Sequence, residues 1–398
     1  MTDVNAGEAP SITPAELRAN IAAGEPVSIL DVRDRDETET WRIEGPSVSF
    51  TQVPIMQFIA AEAKGRVGDL AADAGLEGPV VAVCGRGEAS DRVAALLNEE
   101  GIEARNLAGG MDAWARLYTA AEVDATGDAG DATPAAAEGG ATVIQYHRPS
   151  SGCLAYMVVS DGEAALIDPL RAFTDRYVAD AADRGASVVA ALDTHVHADH
   201  VSGVRALAAE TGARTVLPAG TRERGLAFDA ETVADGDRIA VGATSIEAVA
   251  APGHTTEMTA FRLEDVLCSG DGLFLRSVAR PDLERGGDEA RDLAETLYET
   301  LQDLRALPGE TVVAPGHVEP AATPGADGSY TATLGEVRDH LDLLSLDRAA
   351  FVERILAELP PRPANYERII ETNLGRETVE DEEAFELELG PNNCAVSA

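Results

Sequence analysis

The sequence predicts two α/β domains in series: a small one on a mostly parallel sheet, then a larger αββα sandwich with a C-terminal helical extension. Three observations predict this. A chain of 398 residues exceeds one typical globular core. Residues 119–140, TAAEVDATGDAGDATPAAAEGG, carry five acids and no base and have almost nothing to bury, so they read as a flexible acidic linker. On both sides of that stretch, short apolar runs alternate with helix-like segments, the signature of buried strands separated by helices.

In the first block, Thr13-Pro14-Ala15-Glu16 opens a helix through residue 22, and residues 27–32 form a buried strand. Residues 79–84 form another strand, residues 90–100 a helix that ends at Gly101, and residues 104–107 a short strand. The second block begins with strands at 143–146, 155–160 and 164–168, then a helix at 176–184. A strand at 187–193, a histidine cluster and a helix at 204–211 follow, and further strands fall at 214–217, 246–250, 259–263 and 311–314. Residues 334–359 have a helical pattern, and residues 377–388 read as an acidic tail.

Composition limits the function. Hydrophobic residues at 45% and charged residues at 25% are the balance of a folded chain. With 31 basic and 70 acidic residues the net charge is −39, which argues against nucleic acid and anionic membranes as partners. Such self-repulsion is relieved in molar salt, where the Debye length is about 3 Å, so a salt-rich (halophilic) cytoplasm is expected. Residues 1–10 lack a basic-then-apolar profile, no apolar run approaches a bilayer span, and Cys84, Cys153, Cys268 and Cys394 are too scattered for a disulfide framework. Together these point to a cytoplasmic protein.

Two places carry chemistry. Cys84 closes a strand and starts Cys-Gly-Arg-Gly-Glu-Ala-Ser ahead of a helix. Its sulfur would face the orphan N–H groups of the helix start, which favour an anionic sulfur or cradle a persulfide, and Arg86 adds positive charge. A buried strand-end cysteine with no chemistry is the plain alternative. The second place gathers five of the seven histidines: Thr194-His195-Val196-His197-Ala198-Asp199-His200, Pro252-Gly253-His254 and Pro315-Gly316-His317, with Gly270-Asp271 between the last two. Imidazoles and carboxylates at successive strand ends can converge on one sheet edge as a loop-built metal site. His147 and His340 are read as structural, Cys153 and Cys268 as packing residues, and Cys394 as a terminal thiol.

Leu30-Asp31-Val32-Arg33, the Cys84 loop, and Leu107-Ala108-Gly109-Gly110 leading to Trp114 resemble a rhodanese domain over residues 11–118. The resemblance implies sulfane-sulfur transfer through a Cys84 persulfide, with Arg86 binding substrate and sulfite or thiosulfate as partners. Ala89 and residues 43–54 depart from the family pattern.

The histidine motifs resemble the metallo-β-lactamase fold over residues 141–357. All seven family ligand positions are present: His195, His197, Asp199, His200, His254, Asp271 and His317. Glyoxalase II would use them to hold two Zn(II) ions and hydrolyse a thioester. The persulfide dioxygenase family would place one Fe(II) per chain on His195, His254 and Asp271 and oxidise a small thiol persulfide with dioxygen, leaving His197, Asp199, His200 and His317 around it. Arg-Pro-Asp at 280–282 and Pro-Pro-Arg-Pro-Ala-Asn-Tyr from residue 360 are similar to persulfide dioxygenases, and Ala-Pro-Gly-His stands where glyoxalase II would show Cys-Gly-His-Glu-Tyr. Arg280 is the expected carboxylate anchor for substrate, and residues 358–398 are the extension and tail. A non-enzymatic sulfur carrier or sensor is the third reading, and a homodimer is among the assemblies left open.

Overall fold

The computed structural model describes residues 9–124, 140–284, 288–319, 322–357, 359–390 and 393–396. The chain divides into two compact units, residues 1–118 with 148–151, and residues 119–147 with 152–398.

In the first unit, the strands Ser11–Ile12, Ala104–Leu107, Val80–Val83, Val27–Asp31 and Val48–Gln52 lie side by side in that order, all parallel. The predicted first helix is Pro14–Ala22, set by a capping box in which Thr13 and Glu16 satisfy each other's backbone N–H groups. Asp31 and Arg33 explain the Leu-Asp-Val-Arg motif. Both are buried, the guanidinium grips the carboxylate at 2.7–3.1 Å, and this pins the strand end beside Val83. Helix Glu88–Glu99 then leaves directly from the Cys84 loop, two residues earlier than expected.

The second unit is the expected sandwich. One sheet runs Glu231–Val233, Arg214–Pro218, Ser187–Leu192, Glu163–Ile167, Cys153–Ser160, Thr142–Arg148, Thr119–Glu122. The other runs Arg238–Val241, Thr244–Ala250, Thr259–Leu263, Val266–Gly270, Val312–Pro315, Ala332–Thr333. Tyr156, Ile167 and Leu192 of the first sheet and Ile246, Phe261, Leu267 and Val313 of the second belong to one buried core. Helices Thr174–Asp183 and Val204–Thr211 pack on Ser187–Leu192, and helices Asp288–Arg305 and Arg348–Ala357 pack on each other. Among the described residues, no helix is long and apolar enough to cross a membrane.

Three expectations change. The first residues of the predicted linker form a strand, Thr119–Glu122, antiparallel to Ile144–His147. Its side chains are largely exposed, so it is held mainly by backbone hydrogen bonds and no hydrophobic pattern announces it. The rest of that linker falls on residues 125–139, outside the described residues. The helical stretch from Leu334 is broken into Leu334–His340, a short 3₁₀ turn and Arg348–Ala357, restarted where the Asp347 carboxylate accepts the Ala350 N–H at 2.9 Å. The acidic tail is also not simply solvated: Asp381–Leu387 is a helix that buries Ala384, Phe385 and Leu387.

Candidate active sites

In the first unit the Cys84 sulfur faces the start of the helix that follows its loop. The Gly87 and Ser90 N–H groups donate to Sγ at 3.1 and 3.4 Å, and the Ser90 hydroxyl lies 3.2 Å from it. That hydroxyl has one proton and makes its shortest contact, 2.8 Å, with Asn106 Oδ1, so the two backbone groups are the firm donors. Asn106 was missed by sequence reading because it arrives on a different strand. The loop is braced from beneath, where Met111 and Asp112 donate backbone N–H groups to the Cys84 and Gly85 carbonyls. This close approach requires glycine at position 110, which has φ +61° and where any Cβ would sit 2.7 Å from the Gly85 oxygen. Arg86 is exposed on the loop's rim, 3.5 Å from Asp112.

In the second unit every predicted ligand sits just past a strand end, and all are buried. His195–His200 follow Ser187–Leu192 in one sheet, whereas His254, Asp271 and His317 follow Thr244–Ala250, Val266–Gly270 and Val312–Pro315 in the other. The two sheets therefore deliver ligands to one edge of the sandwich. Glycine in Pro-Gly-His is needed there, since a Cβ at Gly316 would stand 2.5 Å from Asp271 Oδ1.

The seven residues separate into three groups. His195, His254 and Asp271 bring one donor atom each within 4.8 Å of one another. His195 Nε2 and His254 Nε2 each lie 3.8 Å from Asp271 Oδ2. Asp199, His200 and His317 gather with Cys153. His197 turns away to Asp168, at 3.1 Å, and Asp193, at 3.7 Å.

The far nitrogens of the first group are anchored. His254 Nδ1 donates to the Arg280 carbonyl at 2.8 Å. His195 Nδ1 meets the Thr194 hydroxyl at 2.9 Å, whose own proton goes to Asp168 Oδ2 at 2.9 Å, so Nδ1 is the donor there too. Both Nε2 atoms are left with lone pairs aimed at the same place. His195 Nε2 and Asp271 Oδ2 are buried and have no hydrogen-bond partner among the described residues. An ion bound at about 2.1 Å requires donors no more than about 4.2 Å apart, and 3.8 Å meets that. These residues fit a metal ion, and the anchored far nitrogens are the usual support for histidine ligands.

Electrostatics divides the histidines the same way. Burial holds His195 and His254 below the usual imidazole range, and the neighbouring His197 adds to the lowering of His195. Burial also opposes charge on His317 and His200, but Asp271 and Asp199 outweigh it and raise both. His317 bridges the two carboxylates, with Nδ1 2.6 Å from Asp271 and Nε2 2.8 Å from Asp199. Burial pushes the Asp271 carboxyl up, and His317, His195 and His254 more than reverse it.

Three expectations are corrected. The Arg280 guanidinium does not face a substrate: it is buried, grips Asp282 at 2.8 and 3.0 Å, and donates to the Pro361 and Asn393 carbonyls at 2.8 and 3.0 Å. It is a clamp on the C-terminal segment whose own carbonyl orients His254. Cys153 is more than packing, with Sγ 3.2 Å from Asp199. Cys394 is not a loose terminal thiol: it is fully buried and groups with Asp271 and His317. Cys268 does sit in the core.

Sequence reading also missed Asn373. Its amide donates to the His197 and His200 carbonyls at 3.0 and 2.9 Å, and its Oδ1 accepts the Ser202 N–H at 2.9 Å, so the C-terminal extension holds the ligand loop.

Comparison with known proteins identifies the folds of both units. Residues 149–317 match the metallo-beta-lactamase superfamily and residues 13–117 the rhodanese-like domain. The chain is 30% identical over 217 residues to the mitochondrial persulfide dioxygenase ETHE1 of Homo sapiens, covering 53% of this chain and 78% of that protein. It is 34% identical over 226 residues to a hydroxyacylglutathione hydrolase of Methylococcus capsulatus, covering 54% and 78%. Among solved structures, ETHE1 from Myxococcus xanthus superposes with a TM-score of 0.52 at 27% identity, over 58% of this chain and 98% of that one.

Proposed function

Because the chain belongs to the metallo-β-lactamase superfamily and carries a rhodanese-like domain ahead of that fold, we propose that it is an iron-dependent persulfide dioxygenase with a sulfurtransferase domain. It converts a low-molecular-weight thiol persulfide, dioxygen and water to the thiol, sulfite and two protons. The observation that carries this reading is the His195, His254 and Asp271 set, three donors converging while His197 faces Asp168 and Asp193. A ferrous ion held by two imidazoles and one carboxylate supplies open positions and a redox capacity that zinc lacks.

The chain's own residues supply the rest. Thr194 and the Arg280 carbonyl fix the two imidazole orientations, and His317 holds a proton between Asp271 and Asp199. Burial of all these groups keeps bulk water from the site. At the other site, Cys84 takes the terminal sulfur from a persulfide, releasing thiol, and hands it to sulfite, forming thiosulfate and restoring the thiol. Arg86, exposed on the loop's rim, attracts the anionic sulfur compounds. A reducing cytoplasm and a salt-adapted host suit four cysteines outside any disulfide and the −39 charge.

The test is oxygen uptake by anaerobically purified, iron-loaded protein in molar salt, given a fresh thiol persulfide with sulfite assayed alongside. Matched uptake and sulfite support the dioxygenase. The second ligand group, Asp199, His200 and His317, favours the competing reading of a two-zinc thioester hydrolase. Two zinc ions per chain and thioester turnover without oxygen uptake would establish that instead.

A further inference from the structure

The Cys84 cradle contains one group that can reverse its sense. The Gly87 and Ser90 N–H groups can only donate to Sγ, whereas the Ser90 hydroxyl can donate or accept. Its single proton has three acceptors in reach: Asn106 Oδ1 at 2.8 Å, the Gly87 carbonyl at 3.2 Å and Sγ at 3.2 Å. With that proton on Asn106, a lone pair of the Ser90 oxygen is left facing the sulfur, placed to accept the Sγ–H of the neutral thiol. With the amide turned about, Nδ2 would donate to that oxygen and release the hydroxyl proton to the sulfur. The direction of the Ser90–Asn106 pair therefore decides whether Ser90 supports the thiol or the thiolate.

Both partners are fixed in place. Ser90 is fully buried and Asn106 nearly so, which keeps water from competing for the hydroxyl. Asn106 is paired with Ser11 on one side and Ala82 on the other, and its N–H donates to the Pro10 carbonyl at 2.8 Å. Asn98, on the helix that carries Ser90, exchanges hydrogen bonds of 2.9 and 3.0 Å with the Ala104 backbone and ties that helix to the Asn106 strand. The charged side chains on the surrounding elements are Arg86 with Asp112, Arg92 with Glu62, Asp31 with Arg33, Arg105 with Glu103, and Glu88 and Asp91 at the helix start. Among the described residues none of these hydrogen-bonds to Sγ or to the Ser90 hydroxyl, so Asn106 is the side chain that orients it.

We propose that Asn106 is a positioning residue of the Cys84 site: it draws the Ser90 proton away from the sulfur, so that Ser90 accepts from the neutral thiol and the two backbone N–H groups alone serve the anion. Ionisation then sends the Sγ–H proton to solvent, with no change in oxidation state. Asn106 thereby sets what share of Cys84 is the nucleophilic thiolate at a given pH. The use of that thiolate rests on the sulfur-transfer reading above, whereas the orientation of Ser90 does not.

The experiment measures the rate of Cys84 alkylation by iodoacetamide against pH in the full-length protein, with peptide mapping to separate Cys84 from the other cysteines. Asn106→Leu frees the Ser90 proton for the sulfur, so its midpoint is expected about one pH unit below the parent's, with roughly tenfold more thiolate at pH values under both midpoints. Ser90→Ala removes an acceptor from the thiol and no donor from the thiolate, so its midpoint is expected at or below the parent's. Adding Asn106→Leu to Ser90→Ala is expected to move it no further. An unchanged or raised midpoint in folded Asn106→Leu overturns the proposal, as does a shift that persists in the double variant. A raised midpoint in Ser90→Ala overturns it too, by showing that Ser90 donates to the sulfur, and this variant decides the matter if Asn106→Leu does not fold. Sulfur transfer to sulfite by the parent is assayed separately: its absence refutes the sulfurtransferase reading, and the midpoints still decide the role of Asn106.

Discussion

Replacing Arg280 with methionine separates its two readings. Methionine preserves much of the side-chain volume but removes the fork on Asp282 and the donors to the Pro361 and Asn393 carbonyls, all in a site where Arg280 is 1% exposed. Removing one member of a buried ion pair costs about 3–5 kcal/mol because the other charge is left uncompensated. Arg362 still approaches Asp282 at 3.4 Å, so the lower end, about 3 kcal/mol, is expected here. Because the clamp joins the tail to the sandwich, that loss falls on local opening of residues 393–396, whose equilibrium should rise roughly a hundredfold. The assay is thiol alkylation followed by peptide mapping, which reads the labelling rate of Cys394 against that of the core residue Cys268. Unchanged Cys394 labelling together with a raised KM would refute the clamp and restore Arg280 as a substrate anchor.

Three other outcomes are expected. Asp271→Ala should abolish metal binding and oxygen uptake while sulfurtransferase activity persists, and Cys84→Ser should do the reverse; metal analysis and the two activity assays check this, and joint loss would sink the two-site model. Gly110→Ala should cost about 2 kcal/mol or more through the positive φ and the contact with the Cys84 loop. It should remove sulfur transfer but leave metal content intact, as read by thermal unfolding and metal analysis. Raising salt from about 0.1 M to about 1 M shortens the Debye length from about 10 to 3 Å, so the net charge of −39 predicts higher melting temperatures in molar salt. A melting temperature that does not move with salt would show that the acidic charge is locally neutralised.

Much of the fold was legible because its signals are local. The strand and helix of the Cys84 loop, and the three motifs that follow strand ends, lie within a few residues of the apolar runs that announce them. Strand Thr119–Glu122 was illegible because its side chains are largely exposed and it is held mainly by backbone pairing. Asn106 and Asn373 were missed because each is one amide whose role depends on what another element brings beside it.

By itself the sequence determined the donor types, their order, and their places at strand ends, since a Pro-Gly-His turn or a histidine run after a buried strand is readable in a short window. Only the tertiary structure decided how those donors are shared: His195 and His254 with Asp271, His197 with Asp168 and Asp193, Asp199 and His200 with His317. It alone turned Arg280 from a substrate anchor into a clamp on Asn393, 113 residues away, and carried Cys394 to Asp271. The physical reason is that these are polar contacts between segments distant in sequence. They follow no period, and chain-end residues show no hydrophobic pattern until the packing of the sandwich places them.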